Sequence, residues 1–475
     1  MTTITRVWWR PPLPRTPANG GTANPRESTK AMHQIQSADR ATRTTLRRAE
    51  RGQGGQADAM PRRRLWPLLG PAFVAAVAYV DPGNFATNFS AGAGYGYRLL
   101  WVILIANVMA MLIQTLAAKL GAATGRDLAT MCRERLPRPI VWGLWVQAEA
   151  VAVATDLAEI VGGAIALYLI FGVPLPVGGL ITAAIAFGLL AARTRGHRPF
   201  EIVVTGMLAV IGAGFMYNLA FSGVDSRALA GGLVPTFAGT ESVILATGIL
   251  GATVMPHVIY VHSALARGRY TPTLEVAPRG GPVATATVER DAPRRAVIRA
   301  QRIDVVLAMG AAGIINATML VVAAQLFKGE EGVDSLEQVH AGLGTVASEH
   351  AALAFGLALL ASGLAASAVG TYAGQVVMEG FLRRQIPLWL RRGITMAPAL
   401  LLLMIGVDPT SALVWSQVVL SFGIPFALIP LVWLTSDHEV MGAWVNRRIT
   451  TFAAGCVAAI IVGLDVFLLY SLAAR

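Results

Sequence analysis

Asp81-Pro82-Gly83-Asn84 closes an apolar run, Phe73-Val-Ala-Ala-Val-Ala-Tyr-Val80, that heads into a membrane. Proline removes a backbone donor and glycine tolerates unusual φ, so a helix breaks here. A helix broken at membrane depth frees carbonyl groups that must find partners. Asp81 adds a carboxylate where charge is expensive, and Asn84 adds an amide oxygen. Carbonyls, a carboxylate and an amide oxygen together make a cation site. Taken alone, the tetrapeptide reads as a surface turn. A second interrupted run reverses that reading. Gly251-Ala-Thr-Val-Met255-Pro256-His257 separates Val243 to Ile249 from Val258-Ile-Tyr-Val261. Discontinuous hydrophobic segments at matching places in two halves of a chain point to a transporter's binding site.

The rest of the chain fits that reading. It has 475 residues, 55% hydrophobic and 14% charged, with a mean hydropathy of +0.57. Several apolar runs reach the length of about 20 residues that crosses a bilayer as a helix. The class is therefore an all-α polytopic membrane protein. Cys132 and Cys456, the two cysteines, exclude a disulfide framework and a cysteine-rich metal site. The formal charge of +12 is concentrated in residues 1–66, where thirteen Arg or Lys face four acids. That describes a basic tail, with no nucleic-acid-binding pattern beside it. Residues 1–64, rich in Arg, Thr, Pro, Gly and Ala, are expected to be a disordered cytoplasmic tail and not a signal peptide.

Eleven membrane segments are predicted, at 67–88, 97–121, 139–171, 177–193, 200–222, 242–266, 303–327, 347–379, 387–406, 410–435 and 449–472. Arginines follow every even-numbered segment: Arg126, Arg133, Arg135 and Arg138; Arg193, Arg195 and Arg198; the loop from Arg267 to Arg302; Arg383, Arg384, Arg391 and Arg392; Arg447 and Arg448. The alternate loops are short or acidic, the one after segment 7 carrying Glu330, Glu331, Asp334, Glu337 and Glu349 against Lys328. This places the N-terminus in the cytoplasm and the C-terminus outside. Segments 1–5 (65–222) and 6–10 (242–435) then form two halves. An odd number in each gives them opposite orientations, an inverted repeat with its breaks in the first helix of each half. Segment 11 (449–472) is an addition.

Met255 offers a thioether, which tilts a hard oxygen site towards softer transition metals, against the plainer reading of core filling. His257 and His262 lie about 140° apart around a helix, so they do not share one metal. Proton handling or structural hydrogen bonding remains for them, the structural role being favoured for His262. Glu149, Asp156 and Glu159 lie close to one face of segment 3. Such carboxylates face a wet interior as a proton path, or pair with arginines of other helices, or both. Gln417, in Trp415-Ser-Gln-Val-Val-Leu-Ser-Phe-Gly-Ile-Pro425, has an amide that could complete a cation shell. Neither a Walker motif nor a His-Glu-x-x-His pair occurs, and no nucleophile–base pair can be placed, so an enzyme is not expected.

These motifs together resemble the Nramp proton-coupled divalent metal transporters. The match lies in Ala78-Tyr-Val-Asp-Pro-Gly-Asn-Phe-Ala-Thr-Asn88, in Gly251 to His257 with His262-Ser-Ala-Leu265, in Ala106 to Gln114, in Thr155-Asp-Leu-Ala-Glu159 and in Ser416 to Phe426. It spans roughly residues 66–470. The resemblance implies a LeuT-type fold and import of Mn²⁺ or Fe²⁺, with Cd²⁺ also carried, together with protons, across the bacterial plasma membrane. It implies metal ligands at Asp81, Asn84 and Met255, with the carbonyls of Ala78 and Ala252 and sometimes Gln417. It implies proton-route groups at Asp81, Asp156, Glu159 and His257, supported by Glu149, Arg391 and Arg392. Metal ions, protons and the bilayer are the expected partners; no resident cofactor and no obligate protein partner are expected. Two departures are visible. Val258 stands where many members have Asn, and the basic tail and the Pro272–Arg294 loop are longer than usual. Two other readings use the same architecture, a passive divalent-cation channel and a sodium-coupled amino-acid carrier. Asp81 would repel a substrate carboxylate, which counts against the carrier.

Overall fold

The first apolar run folds as two helices, α1 (Pro71–Ala78) and α2 (Pro82–Tyr95). Asp81 is the N-cap of α2: its backbone is extended (φ −80°, ψ 170°) and its carboxylate accepts the Asn84 N–H. Pro82 takes the first turn of the helix, where a missing N–H costs little. The tetrapeptide that ends one helix thus starts the next.

The structure is a computed structural model and describes residues 70–193, 197–268, 283–327, 335–383 and 387–473, all within the unit Arg63–Arg475. The basic tail, residues 272–282 of the long loop, and Arg195, Lys328, Glu330, Glu331, Asp334 and Arg384 lie outside the described residues. After a 3-10 turn, Gly96–Leu99, come α3 (Leu100–Thr124), α4 (Leu128–Arg135), α5 (Arg138–Phe171), α6 (Leu175–Arg193), α7 (His197–Ser222) and α8 (Ser226–Gly231). The second broken run forms α9 (Thr240–Thr253) and α10 (Pro256–Gly268). Then follow α11 (Val283–Leu326), α12 (Leu336–Val346), α13 (Glu349–Leu382), α14 (Leu388–Ile405), α15 (Pro409–Ser436), α16 (His438–Met441) and α17 (Arg448–Ala473).

Each predicted segment is helical, with two differences. The segment expected at 303–327 begins much earlier, at Val283. Its extension is polar, which leaves no apolar run to read, and it is helical although it contains Pro293, Thr285 and Thr287. Short helices α4, α8, α12 and α16 occupy predicted loops. Helices α4, α8 and α16 are too short to show apolar periodicity, while α12 has it in Leu336, Val339 and Leu343, next to an acidic run; each starts at an Asp or Ser cap (Asp127, Asp225, Ser335, Asp437). Among the described residues, eight helical stretches are long and apolar enough to cross a membrane; one of them, Pro82–Thr124, joins α2 and α3. Helix α6 has a shorter apolar part, Leu175–Gly188. Helices α5 and α13, at 34 residues each, exceed a bilayer core of about 30 Å and so run obliquely or beyond it.

The packing is reciprocal between the halves. Helices α1 and α2 pack on α11, the second helix of the other half; α9 and α10 pack on α3, the second helix of the first. Helix α5 packs on α14 and α15, and its counterpart α13 packs on α6 and α7. Exchanging the halves maps these pairings onto one another, as the five-plus-five repeat requires. The two breaks meet at its centre.

Candidate metal and proton site

The carbonyls freed at the breaks fall into two groups. Those of Tyr79 and Val80 are satisfied by side chains from the other half: Asn316 Nδ2 donates to Tyr79 O (2.7 Å) and Ser362 Oγ to Val80 O (2.6 Å). The carbonyls of Ala78 and Ala252 differ. Each lies four residues before a proline, Pro82 or Pro256, which has no N–H to complete the helical bond. The Ala252 carbonyl accepts instead from Asn84 Nδ2 (3.1 Å), and this bond joins the two breaks directly.

Asp81 sits at that junction, 1% exposed. Its Oδ1 accepts from Asn84 N and Nδ2, both at 2.8 Å, and its Oδ2 from Gln417 Nε2 at 3.3 Å. Gln417 comes close to both breaks. A Cβ on Gly83 would collide with its side chain, and one on Gly251 with its carbonyl. These glycines are needed because α15 lies against both interrupted helices. The oxygens Asn84 Oδ1 and Gln417 Oε1 are buried without a hydrogen-bond partner among the described residues. Met255 is fully buried in the second break, three residues after Ala252. A carboxylate, two amide oxygens and the Ala252 carbonyl therefore meet in one buried junction, with the Ala78 carbonyl and the Met255 thioether at the ends of the same breaks, a donor set that suits a divalent transition metal as substrate.

The carboxylates of α5 face α13 and α14. Glu149 Oε2 pairs with Arg391 Nη2 at 2.8 Å. Asp156 accepts from Thr395 Oγ1, and Glu159 lies 3.9 Å from Arg392. The guanidinium of Arg392 also donates to Ser367 O (2.9 Å) and stands over the Phe187 ring. Gly370 and Gly374 on α13 leave the space that Glu159 and Arg391 occupy. Glu149 and Glu159 thus have arginine neighbours, as one of the expected arrangements requires, while Asp156 is held by a threonine. The row ends near the junction of the breaks: Gly162, under one turn beyond Glu159, packs against Pro82.

The two histidines of α10 diverge. His257 Nδ1 lies 3.3 Å from Thr155 Oγ1 on α5. These two side chains line a cavity of about 10 Å³ between α5, α10 and α13, about the room of one water. His262 Nδ1 meets Gln114 Oε1 at 2.8 Å, and Gln114 donates on to the Tyr79 hydroxyl, a link that ties α10, α3 and α1 together. Asn316, Ser362 and Gln114 are site-supporting residues that sequence reading did not single out as such. Their signal is a polar side chain in an apolar helix.

A family model described as natural resistance-associated macrophage protein-like (Nramp) matches residues 72–471. The chain is 48% identical over 412 residues to a divalent metal cation transporter MntH of Deinococcus radiodurans, covering 86% of this chain and 91% of that one. It is 49% identical over 409 residues to the protein of the same name in Bacillus subtilis, covering 86% and 92%. The fold is similar to that in a crystal structure of an Eremococcus coleocola manganese transporter, with a TM-score of 0.74, 30% identity, and 86% and 88% coverage.

Proposed function

The chain belongs to the Nramp family, and from that premise we propose that it imports divalent transition metal ions, Mn²⁺ foremost and Fe²⁺ and Cd²⁺ also, across the bacterial plasma membrane, coupled to protons by alternating access. One observation carries the reading: the two helix breaks are joined through Asp81, Asn84, Ala252 and Gln417 in a buried junction that contains a thioether. Asp81 supplies the negative charge opposing the dication. Asn84, Gln417, Met255 and the carbonyls of Ala78 and Ala252 replace water around it. Protons enter by Asp81 and leave along Glu159 and Asp156, with His257 beside the route and Glu149, Arg391 and Arg392 keeping the row in place. The arginine-bearing loops favour a cytoplasmic N-terminus and an external C-terminus.

The amino-acid carrier is disfavoured by the same geometry. A substrate carboxylate would need the N–H groups that open α2, and Asp81 already accepts from Asn84 N. The channel reading differs in energetics. Purified protein in liposomes, given an acidic exterior and equal Mn²⁺ on both sides, is expected to accumulate Mn²⁺ inside. Equilibration without accumulation is the channel outcome. Asp81→Asn is expected to fold and to abolish uptake; substantial transport by that variant removes the proposed site.

A further inference from the structure

Helix α17 lies outside both five-helix halves, yet it carries a buried acid. Asp465 is 5% exposed and sits about 26 Å along the helix from Arg448, within an apolar stretch. Its Oδ1 lies 2.7 Å from Ser421 Oγ on α15. Its Oδ2 is buried with no hydrogen-bond partner among the described residues.

Helix α17 packs against α15, α9 and α3. Helix α15 has no ionisable side chain. The one on α9 is Glu241, exposed in its first turn. The one on α3 is Lys119, bonded to Asn446 just before α17 begins, far from Asp465 along the helix. On α17 itself, Arg448 stands at the first residue, while Cys456 and Tyr470 are exposed. No cation among these groups faces the carboxyl.

Hydrogen counting gives its protonation state. Ser421 Oγ lies 2.8 Å from the Val418 carbonyl as well as 2.7 Å from Asp465 Oδ1. A hydroxyl has one proton to donate. Both contacts are full two-centre hydrogen bonds at once when a second proton is present, and of these three groups only Asp465 can hold it; with one proton the hydroxyl divides it between the two oxygens. An isolated carboxylate at this depth is also the costlier form.

We propose that Asp465 is a proton-binding site on α17, separate from the carboxylates of α5. As the neutral acid it donates to Ser421, which donates to the Val418 carbonyl. This relay clasps α17 to α15 one turn beyond Gln417, on the same turn whose Ser421 backbone faces Gly251 of the second break. Loss of the proton leaves Ser421 one hydrogen, which the buried anion draws away from the Val418 carbonyl, so the turn of α15 that carries Ser421 loses a bond and its position against Gly251 shifts. The relay is complete at acid pH and is lost as pH rises. Proton occupancy on α17 thereby biases the metal junction.

The uptake arm of the test rests on the import reading; the spectroscopic arm does not. Asp465→Asn keeps a donor to Ser421 at every pH. Its Mn²⁺ uptake is expected to persist further into alkaline buffer than wild type, the midpoint of the decline moving by about one pH unit. Ser421→Ala lacks the relay at every pH and is expected to show depressed uptake even in acid. Infrared spectra of unmodified protein and Asp465→Asn, without metal, are expected to differ by the carbonyl stretch of one neutral carboxylic acid. If no such band is lost, the proton site is overturned whatever transport does. If the band is lost but the pH profiles coincide, the coupling to the metal junction is overturned. Absence of uptake by unmodified protein would instead count against import and leave the infrared result to decide.

Discussion

Gln417 is the residue on which the two breaks converge, and its spacing in sequence gives little hint of this. Its carbonyl lies against Gly251 and its side chain against Gly83, while its amide donates to Asp81 Oδ2. Only the fold brings these together. Met255 poses the opposite case, since its chemistry is legible but its effect must be measured. A neutral thioether contributes little to holding Ca²⁺ or Mg²⁺, which prefer oxygen. It also occupies a place where an oxygen or water could sit, so part of the discrimination comes from penalising the wrong ion. Met255→Ala admits a water there. Mn²⁺ is still expected to be carried, because Asp81 and Asn84 remain. Cd²⁺ affinity is expected to fall and Ca²⁺ to begin competing, a relative shift of about 1–2 kcal/mol, roughly ten-fold. Mn²⁺ uptake measured against rising Ca²⁺ in both proteins checks this. Coincident competition curves and unchanged Cd²⁺ binding would reduce Met255 to packing.

At the scale of the helix, the prolines act through what they lack. Pro82 and Pro256 deny a donor to the carbonyls of Ala78 and Ala252, and that is why these two oxygens can turn towards a cation. Pro256→Ala restores an N–H four residues after Ala252. A neutral hydrogen bond of about 0.5–1.5 kcal/mol then competes with the metal, so Mn²⁺ affinity is expected to drop by about two- to ten-fold. Calorimetric binding that leaves the affinity unchanged would show that the second carbonyl does not serve the metal. The i, i+4 relation of alanine to proline was readable in the sequence, whereas the partners of the other freed carbonyls were not. Asn316 and Ser362 reach Tyr79 and Val80 from more than 230 positions away, and no local pattern encodes such a contact. The acids of α5 divide in the same way. Their common face follows from helical spacing, but their pairing with Arg391 and Arg392 depends on how α14 is placed. Removing the charge at the end of that row tests whether it conducts. Glu159→Gln and Asp156→Asn are expected to reduce metal-stimulated proton entry several-fold while Mn²⁺ binding changes little. Unchanged proton flux in both variants would make α5 a structural strut.

For the whole molecule, the informative feature is that the same helix pairing is built twice, each time through a glycine, carried by the first helix of the pair in one case and by the second in the other. Gly92 on α2 packs against the backbone of α11 at Leu320, and Gly121 on α3 packs against the backbone of α10 at Ser263. One joins the first helix of the first half to the second helix of the other, and the second is its counterpart under exchange of the halves. Glycine is needed at both because a Cβ would overlap a main-chain carbonyl oxygen, which cannot rotate away like a flexible side chain. Close approach of this kind is how helices associate where lipid supplies no hydrophobic drive. The junction of the two breaks lies among α1, α2, α9, α10 and α15, so separating either close pair also displaces Asp81, Asn84 and Gln417 from one another. Gly92→Ala and Gly121→Ala are each expected to destabilise the protein by about 1–3 kcal/mol through overpacking, with lowered melting temperatures in detergent and reduced Mn²⁺ uptake. Gly94→Ala is the control: two residues from Gly92, its added Cβ would meet no atom within 4 Å, and it is expected to melt as the unmodified protein does. Losses at both Gly92 and Gly121 are what a junction held by both pairings demands. If one site proves as tolerant as Gly94, the two halves do not share the packing on which the junction depends.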